Sequence, residues 1–389
     1  MKKIFYWSPH ISKVATVKNV INSAFSLKKF SKEKIDVSII DAIGEWSSHK
    51  AELESKRINY LKIPGFEISQ LLPLSGYLIS RIVYFIILVT KIFKLKKLID
   101  KEKPNYLIIH LITVAPLLLL YLFSFDTKFI LRISGLPKLT FFRIFFWKKI
   151  SKKIYMVTCP SEQTKKDLIK SNIFSEKNLK VLYDPILEIQ EIQRKLNSKI
   201  EKNLPIHKKY FLNIGRLTKQ KNQTLLIDVF SKLVKNNNNL YLYIAGDGEK
   251  KKILNKMIIE RQVQNNVFLL GYCENVFPLI KNSSVVISTS LWEDPGAVMI
   301  ESAYCNKLVI SSNCPNGPEE FLKYGKCGYL FKNNDPIDLA NSIHMIMQKD
   351  YNSVKSIGIE GRKNVLKKFD VDKMCQTTFT EYKKLIVSK

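Results

Sequence analysis

A chain of 389 residues with 46% hydrophobic composition can bury substantial cores and favours two domains over one, which excludes an intrinsically disordered protein. Its formal net charge of +29 repels itself and draws anions to the surface, so nucleic acid, anionic lipid and phosphorylated substrate are the partner classes to separate. The six cysteines (Cys159, Cys273, Cys305, Cys314, Cys327, Cys375) form no C-x-x-C pair, and neither His207 nor His344 has a cysteine at metal-ligand spacing, so a reducing compartment without structural zinc is the simple reading.

In chain order, MKKIFYWSPHIS carries two lysines but no apolar h-region and no small-residue cleavage site, which predicts a cytoplasmic protein. KKIFYWS, VKNVINSAFSLKKF and KIDVSIIDAI alternate strand, helix and strand, the pattern of a parallel sheet. Residues 106–125, YLIIHLITVAPLLLLYLFSF, are long enough to span a bilayer, but YLIIHLI is β-rich and Pro116 suits the first turn of a new helix. Strand, turn and buried helix are therefore expected there. In 76–99 the uncharged run between Arg81 and Lys91 is nine residues, too short to span.

From 76 to 149 there are 13 basic and 3 acidic residues, interleaved with Phe85, Phe93, Phe141, Phe142, Phe145, Phe146 and Trp147. Exposed aromatics beside cations lie in the headgroup plane of an anionic membrane; the alternative is core aromatics beside a solvated lysine face. Membrane contact is placed ahead, and nucleic acid is not expected because no nucleic-acid-binding motif accompanies the charge.

A polar stretch, 186–208, predicts a linker between residues 1–185 and a second α/β half at 209–369, with a terminal helix at 370–389 packing back toward the first half. In the second half KYFLNIG, LYLYIAG, NVFLLG, VVISTS and KLVISSN read as strands separated by helices. NIGRLTKQKN turns at Gly215 and sets Arg216 and Lys221 at a strand's carboxyl end, where a diphosphate would meet one forked and one point cation. Ordinary surface charge is the alternative. LWEDPGAVMIESAYC carries Glu293 in a loop and Glu301 on the second turn of a helix beginning beside Gly296. Free N–H groups there suit a phosphate, and a carboxylate at Glu301 suits a ribose diol. Asp370 and Asp372 form a D-x-D triplet, read as a helix N-cap rather than a metal site.

The ordered set GRLTKQKN, AGDGE, FLLGY, the two glutamates eight positions apart, SSNCPNGPEEFL and GYLF resembles the retaining glycosyltransferases of family 4 across residues 209–335. WSPHISKVATVKNVINSA, LIIHLITVAPLLL and FILRISGLPKL resemble members that build bacterial surface polysaccharides. The resemblance implies an α/β fold of two Rossmann-like domains facing across a cleft (GT-B). It also implies retaining, metal-independent transfer from a nucleotide-sugar to a saccharide acceptor, lipid-diphosphate-linked, on the inner face of the cell membrane, with no cofactor.

By position, Arg216 and Lys221 match the family's diphosphate pair, Glu301 its ribose ligand and Glu293 its donor-sugar ligand. Gly296, Ala297 and Val298 would supply backbone donors beside Pro295, and Gly215 the turn; Gly271 and Cys273 would face the nucleobase. His110 fits the histidine that faces the transferred sugar, and a satisfied core histidine is the alternative. The chain departs from the family in its glycine-free first loop, Ser8–Thr16, where Ser12 or Lys13 would substitute, and in Asp294-Pro295 in place of Gly-Phe. A basic membrane- or nucleic-acid-binding module on an inactive scaffold is the competing function; it would have lost some of Arg216, Lys221, Glu293, Glu301 and Gly296, and all five are present.

Overall fold

The computed structural model describes residues 1–11, 15–31, 34–68, 71, 77–135, 137–198, 209–323, 325–370, 372–374, 376–377 and 380–381. Ser12 and Lys13, expected to serve the first loop, lie outside the described residues.

The chain forms two compact units, one from Met1 to Pro185 joined by the described residues from Asp372 onward, the other from Ile186 to Val371. The first holds strands β1 (Lys2–Trp7), β2 (Ile35–Asp41), β3 (Asn59–Lys62), β4 (Tyr106–Ile109), β5 (Lys128–Arg132), β6 (Met156–Cys159) and β7 (Leu179–Val181). Its helices are α1 (Ala15–Phe30), α2 (Lys50–Ser55), α3 (Tyr77–Glu102), α4 (Val114–Leu122), α5 (Phe141–Ile150) and α6 (Glu162–Lys170). All described pairings are parallel, in the order β3-β2-β1-β4-β5-β6-β7. Both faces are covered: Phe5 and Trp7 belong to one core while Ile4 and Tyr6 belong to the other. That is why these strands read as unbroken apolar runs.

The second unit holds α7 (Ile189–Leu196), β8 (Phe211–Ile214), α8 (Gln223–Asn236), β9 (Leu242–Ala245), α9 (Lys251–Glu260), β10 (Val267–Gly271) and α10 (Phe277–Asn282). It continues with β11 (Val285–Ser288), α11 (Ala297–Tyr304), β12 (Leu308–Asn313), α12 (Pro318–Phe321), β13 (Tyr329–Lys332), α13 (Pro336–Met347) and α14 (Tyr351–Phe369). Its sheet is again parallel, ordered β10-β9-β8-β11-β12-β13.

The stretch expected to be a linker is structured in part, because its apolar residues Ile189 and Ile192 stand at helical spacing. Helix α7 buries Ile192, and Asn275 donates to the Lys195 carbonyl (2.9 Å) and to Ser198 Oγ (2.6 Å). Residues 199–208 lie outside the described residues. Leu187 N–H bonds the Phe369 carbonyl at 2.9 Å, so the chain enters the second unit beside its point of exit. Past that exit Asp372 pairs with Lys29 of α1 at 2.9 Å.

Residues 106–125 fold as strand, turn and helix, with Ala115, Pro116, Leu117, Leu119 and Leu120 of α4 buried. No helix among the described residues is long and apolar enough to cross a membrane. Phe230 of α8 is fully buried and packs edge-on against Phe211 of β8. Phe230→Ala is expected to destabilise the second unit by about 3–5 kcal/mol, read as a lowered denaturant midpoint for the transition that reports that unit.

Candidate functional site

In the second sheet, connections from β8 run toward β9 and β10, and those from β11 run toward β12 and β13, so the strand order reverses between β8 and β11. Open parallel sheets bind ligands at the carboxyl ends of the strands flanking such a reversal. Main-chain pairing there covers only Phe211↔Val285 and Leu212↔Val286. One residue further on, the Asn213 side chain donates to the Ile287 carbonyl at 2.8 Å in place of a backbone bond. The strands separate beyond it, and the loops after β8 and β11 line the opening.

These loops bring together most of the expected residues. Lys221 Nζ stands 2.5 Å from Glu293 Oε1, which also accepts a hydrogen bond from Ser290 Oγ at 2.6 Å. The lysine side chain is 19% exposed and the carboxylate 8%, so the pair is largely screened from water. The two segments are stitched together: Thr289 Oγ1 donates to the carbonyls of Lys221 (3.0 Å) and Asn222 (3.1 Å). Gln220 accepts the Leu291 N–H on its carbonyl (2.8 Å) and donates its amide to the Trp292 carbonyl (2.9 Å). Arg216 is exposed beside Gly215 and makes no ion pair among the described residues, which leaves its guanidinium available to an anion.

Gly296 begins α11 at φ 92°, left-handed backbone that glycine adopts without strain; an added Cβ would come within 2.3 Å of Met299 Cε. Glu301 falls on the second turn of α11, half-buried. The N–H groups of Ala297 and Val298 have no acceptor among the described residues, as expected in the first turn of a helix. They offer partial positive charge at the same loop that carries Glu293. Pro295 is buried in that loop. Gly271 and Cys273 sit at the carboxyl end of β10, two strands from β8, where the cysteine thiol lies 3.6 Å from the Gly271 carbonyl.

His110 belongs to the other unit, where it follows β4 at the reversal between β1 and β4. Its N–H bonds the Trp7 carbonyl at 2.9 Å, its side chain is buried, and neither ring nitrogen has a partner among the described residues. Burial first, then the nearby Arg132 cation, hold its pKa down to about 3. Of the D-x-D triplet, Asp370 pairs through its backbone with Leu187 and Asp372 with Lys29, so the two aspartates are engaged in different units.

The profile of the family "Glycosyl transferases group 1" matches residues 194–364. An uncharacterised glycosyltransferase of Methanocaldococcus jannaschii is 32% identical over 76% of this chain and 82% of its own. The chain is a group 1 glycosyltransferase. The N-acetylgalactosamine-N,N'-diacetylbacillosaminyl-diphospho-undecaprenol 4-alpha-N-acetylgalactosaminyltransferase of Campylobacter jejuni is 23% identical over 64% of this chain and 66% of its own. Among solved structures, a glycosyltransferase of Rickettsia africae superposes at TM-score 0.75 with 17% identity, over 100% of this chain and 99% of that one. An Anabaena protein solved with UDP and glucose superposes at 0.71 with 16% identity, over 99% and 100%. At those identities the likeness is one of fold, and the fold is GT-B.

Two features of this group 1 glycosyltransferase escape motif reading. Ser290 and Thr289 anchor the glutamate and the lysine loop, and the hydroxyl run STS at the end of a buried strand is their signal. Gly317 lets the next loop approach, since a Cβ there would lie 2.5 Å from the Pro295 carbonyl oxygen.

Lys221→Met leaves Glu293 buried without its cation and is expected to cost roughly 3 kcal/mol of second-unit stability. Adding Glu293→Gln should recover most of that loss, and a double-mutant cycle in denaturant measures the coupling.

Proposed function

We propose that this glycosyltransferase moves a sugar from a nucleoside-diphosphate-sugar to a lipid-diphosphate-linked saccharide with retention of anomeric configuration, in surface-polysaccharide synthesis. The observation that carries the reading is the Lys221–Glu293–Ser290 cluster beside the N–H groups of Ala297 and Val298, which have no acceptor among the described residues, at the strand-order reversal. The UDP and glucose bound by the Anabaena neighbour and the diphospho-undecaprenol named for the Campylobacter relative support the donor and acceptor classes.

In this reading Arg216 forks onto the diphosphate, while Lys221 and the amides of Ala297 and Val298 meet the charge that develops as the glycosidic bond breaks. Gly215 and Gly296 let the backbone come close, with Pro295 shaping the loop. Glu293 is already oriented by Lys221 and Ser290, leaving carboxylate lone pairs for a donor-sugar hydroxyl. Glu301 accepts from the ribose diol, and Gly271 and Cys273 border the base. His110 serves the transferred sugar. The acceptor hydroxyl attacks on the face the diphosphate leaves, and a departing phosphate oxygen takes its proton, so the protein supplies position and charge rather than a strong base. Neither a metal nor a cofactor is assigned a role.

An anionic membrane surface is the partner we assign to α3 and α5. Ile82, Phe85, Val89 and Phe93 form an exposed apolar ridge along α3, and Phe141 and Phe142 of α5 are 78% and 82% exposed. Phe146 and Trp147 face inward instead. Burial first, then the Arg81 cation of α3, lower the pKa of Arg143 of α5. Cations flanking exposed aromatics suit anionic headgroups, which supports a reading of the enzyme as peripheral on the inner face of the cell membrane.

Arg216→Ala and Glu301→Ala are each expected to lower transfer from UDP- or GDP-sugars by roughly 10²–10³-fold in folded protein; wild-type transfer in either variant would remove these assignments. Cosedimentation should be stronger with anionic than with neutral liposomes and should weaken as salt rises, whereas equal binding to both would overturn the charge argument.

A further inference from the structure

We propose that Asn316 is a specificity-determining residue for the donor: its buried amide oxygen, in the loop packed against Glu293, accepts a hydrogen bond from a hydroxyl or acetamido N–H of the donor sugar. The inference rests on the function proposed above. Asn316 follows β12, and its neighbours on both sides touch the loop that carries Glu293. The Pro315 carbonyl accepts the Glu293 N–H at 3.1 Å, and an added Cβ at Gly317 would lie 2.5 Å from the Pro295 carbonyl oxygen. Ser312 Oγ donates to the Ser290 carbonyl, so the end of β12 is bound to the segment that orients the same carboxylate. All of these contacts lie within the second unit.

Asn316 is only 7% exposed, yet its Oδ1 has no hydrogen-bond partner among the described residues. An amide oxygen buried unpaired is costly, so its presence needs a reason. Backbone preference does not supply one. Asn316 has φ 69°, which asparagine tolerates, but Asn172, Asn222, Asn306 and Asn334 also have positive φ, and none of those four is buried. Bridging does not supply one either. Asn213, Gln223 and Asn333 leave a buried oxygen unpartnered while donating their N–H to the carbonyls of Ile287, Arg216 and Leu291. Asn316 makes no such bridge among the described residues.

An amide oxygen only accepts, and that narrows what can pair with it. The ionised diphosphate also only accepts. Gly271 and Cys273, assigned to the base, lie at the carboxyl end of β10, whereas β12 stands beyond β11 on the other side of the strand-order reversal. The sugar remains, with its hydroxyls and any acetamido N–H. Glu293 is a charged acceptor already engaged by Lys221 and Ser290, and Asn316 adds a neutral one in the adjoining loop. A buried acceptor discriminates against a sugar that lacks the matching donor group, because the oxygen is then left unpaired.

The test is calorimetric titration of the full chain with UDP, GDP, UDP-glucose, UDP-galactose, UDP-N-acetylglucosamine and GDP-mannose. Asn316→Gly removes the oxygen, and glycine adopts the backbone at φ 69° without strain, so the denaturant midpoint should not fall. This variant should bind the best nucleotide-sugar of the panel roughly tenfold more weakly than the wild type, while affinity for the matching nucleoside diphosphate stays within about twofold. A loss confined to UDP-N-acetylglucosamine assigns the acetamido N–H, and a loss shared with UDP-glucose assigns a hydroxyl. Asn316→Ala removes the same oxygen and should show the same loss. A loss in Asn316→Ala alone would trace to backbone strain and overturn the proposal, as would an equal loss for nucleoside diphosphate and nucleotide-sugar, or no loss for either. A wild-type chain that binds no nucleotide-sugar of the panel would overturn the function proposed above and the role of Asn316 with it.

Discussion

Between β8 and β11 the backbone ladder ends at Leu212 and Val286, and the next rung is made by the Asn213 side chain. This limited pairing is the constraint on which the second unit depends. A full ladder would hold the strands together to their ends and close the gap between the following loops. Two paired positions keep the sheet continuous, and the amide bridge lets the strands part without stranding the Ile287 carbonyl. Lys221 and Glu293, 72 residues apart in sequence, meet across the loops that this divergence leaves open.

Their meeting also bears on the charge problem of a protein at +29. Lys221 is not a free surface cation: its partner carboxylate is buried and held by Ser290. Arg216, on the same loop, is exposed, so the site divides its positive charge between an anchored lysine and an available arginine. An ion pair of this kind contributes little net stability but fixes geometry, because each partner would be costly to bury alone. The first unit repeats the device with Arg132 and Asp184, which are more deeply buried.

Much of this architecture was legible in the residues. Apolar runs such as VVISTS and KLVISSN form β11 and β12 because both sheet faces are covered, and Pro116 lies in the first turn of α4. GRLTKQKN and the two glutamates fall at one edge of the sheet, since loops after parallel strands share one edge. Polar composition marks the stretch from 186 as a linker, and a two-turn helix whose single buried residue is Ile192 occupies part of it, with Asn275 and Lys281 brought against it. The aromatics between 85 and 147 divide between core and surface by helix face, a distinction that composition does not carry.

By itself the sequence determined the two parallel α/β units, the order of the motifs and the glycine at residue 296, because strand burial, helix period and left-handed backbone leave local signatures. Only the tertiary structure decided that Lys221 is bonded to Glu293, that Asn213 bridges the diverging strands and that neither ring nitrogen of the buried His110 has a partner among the described residues. Those contacts join residues on separate strands and loops. Their energetics depend on mutual burial and distance, which no local pattern in the chain encodes.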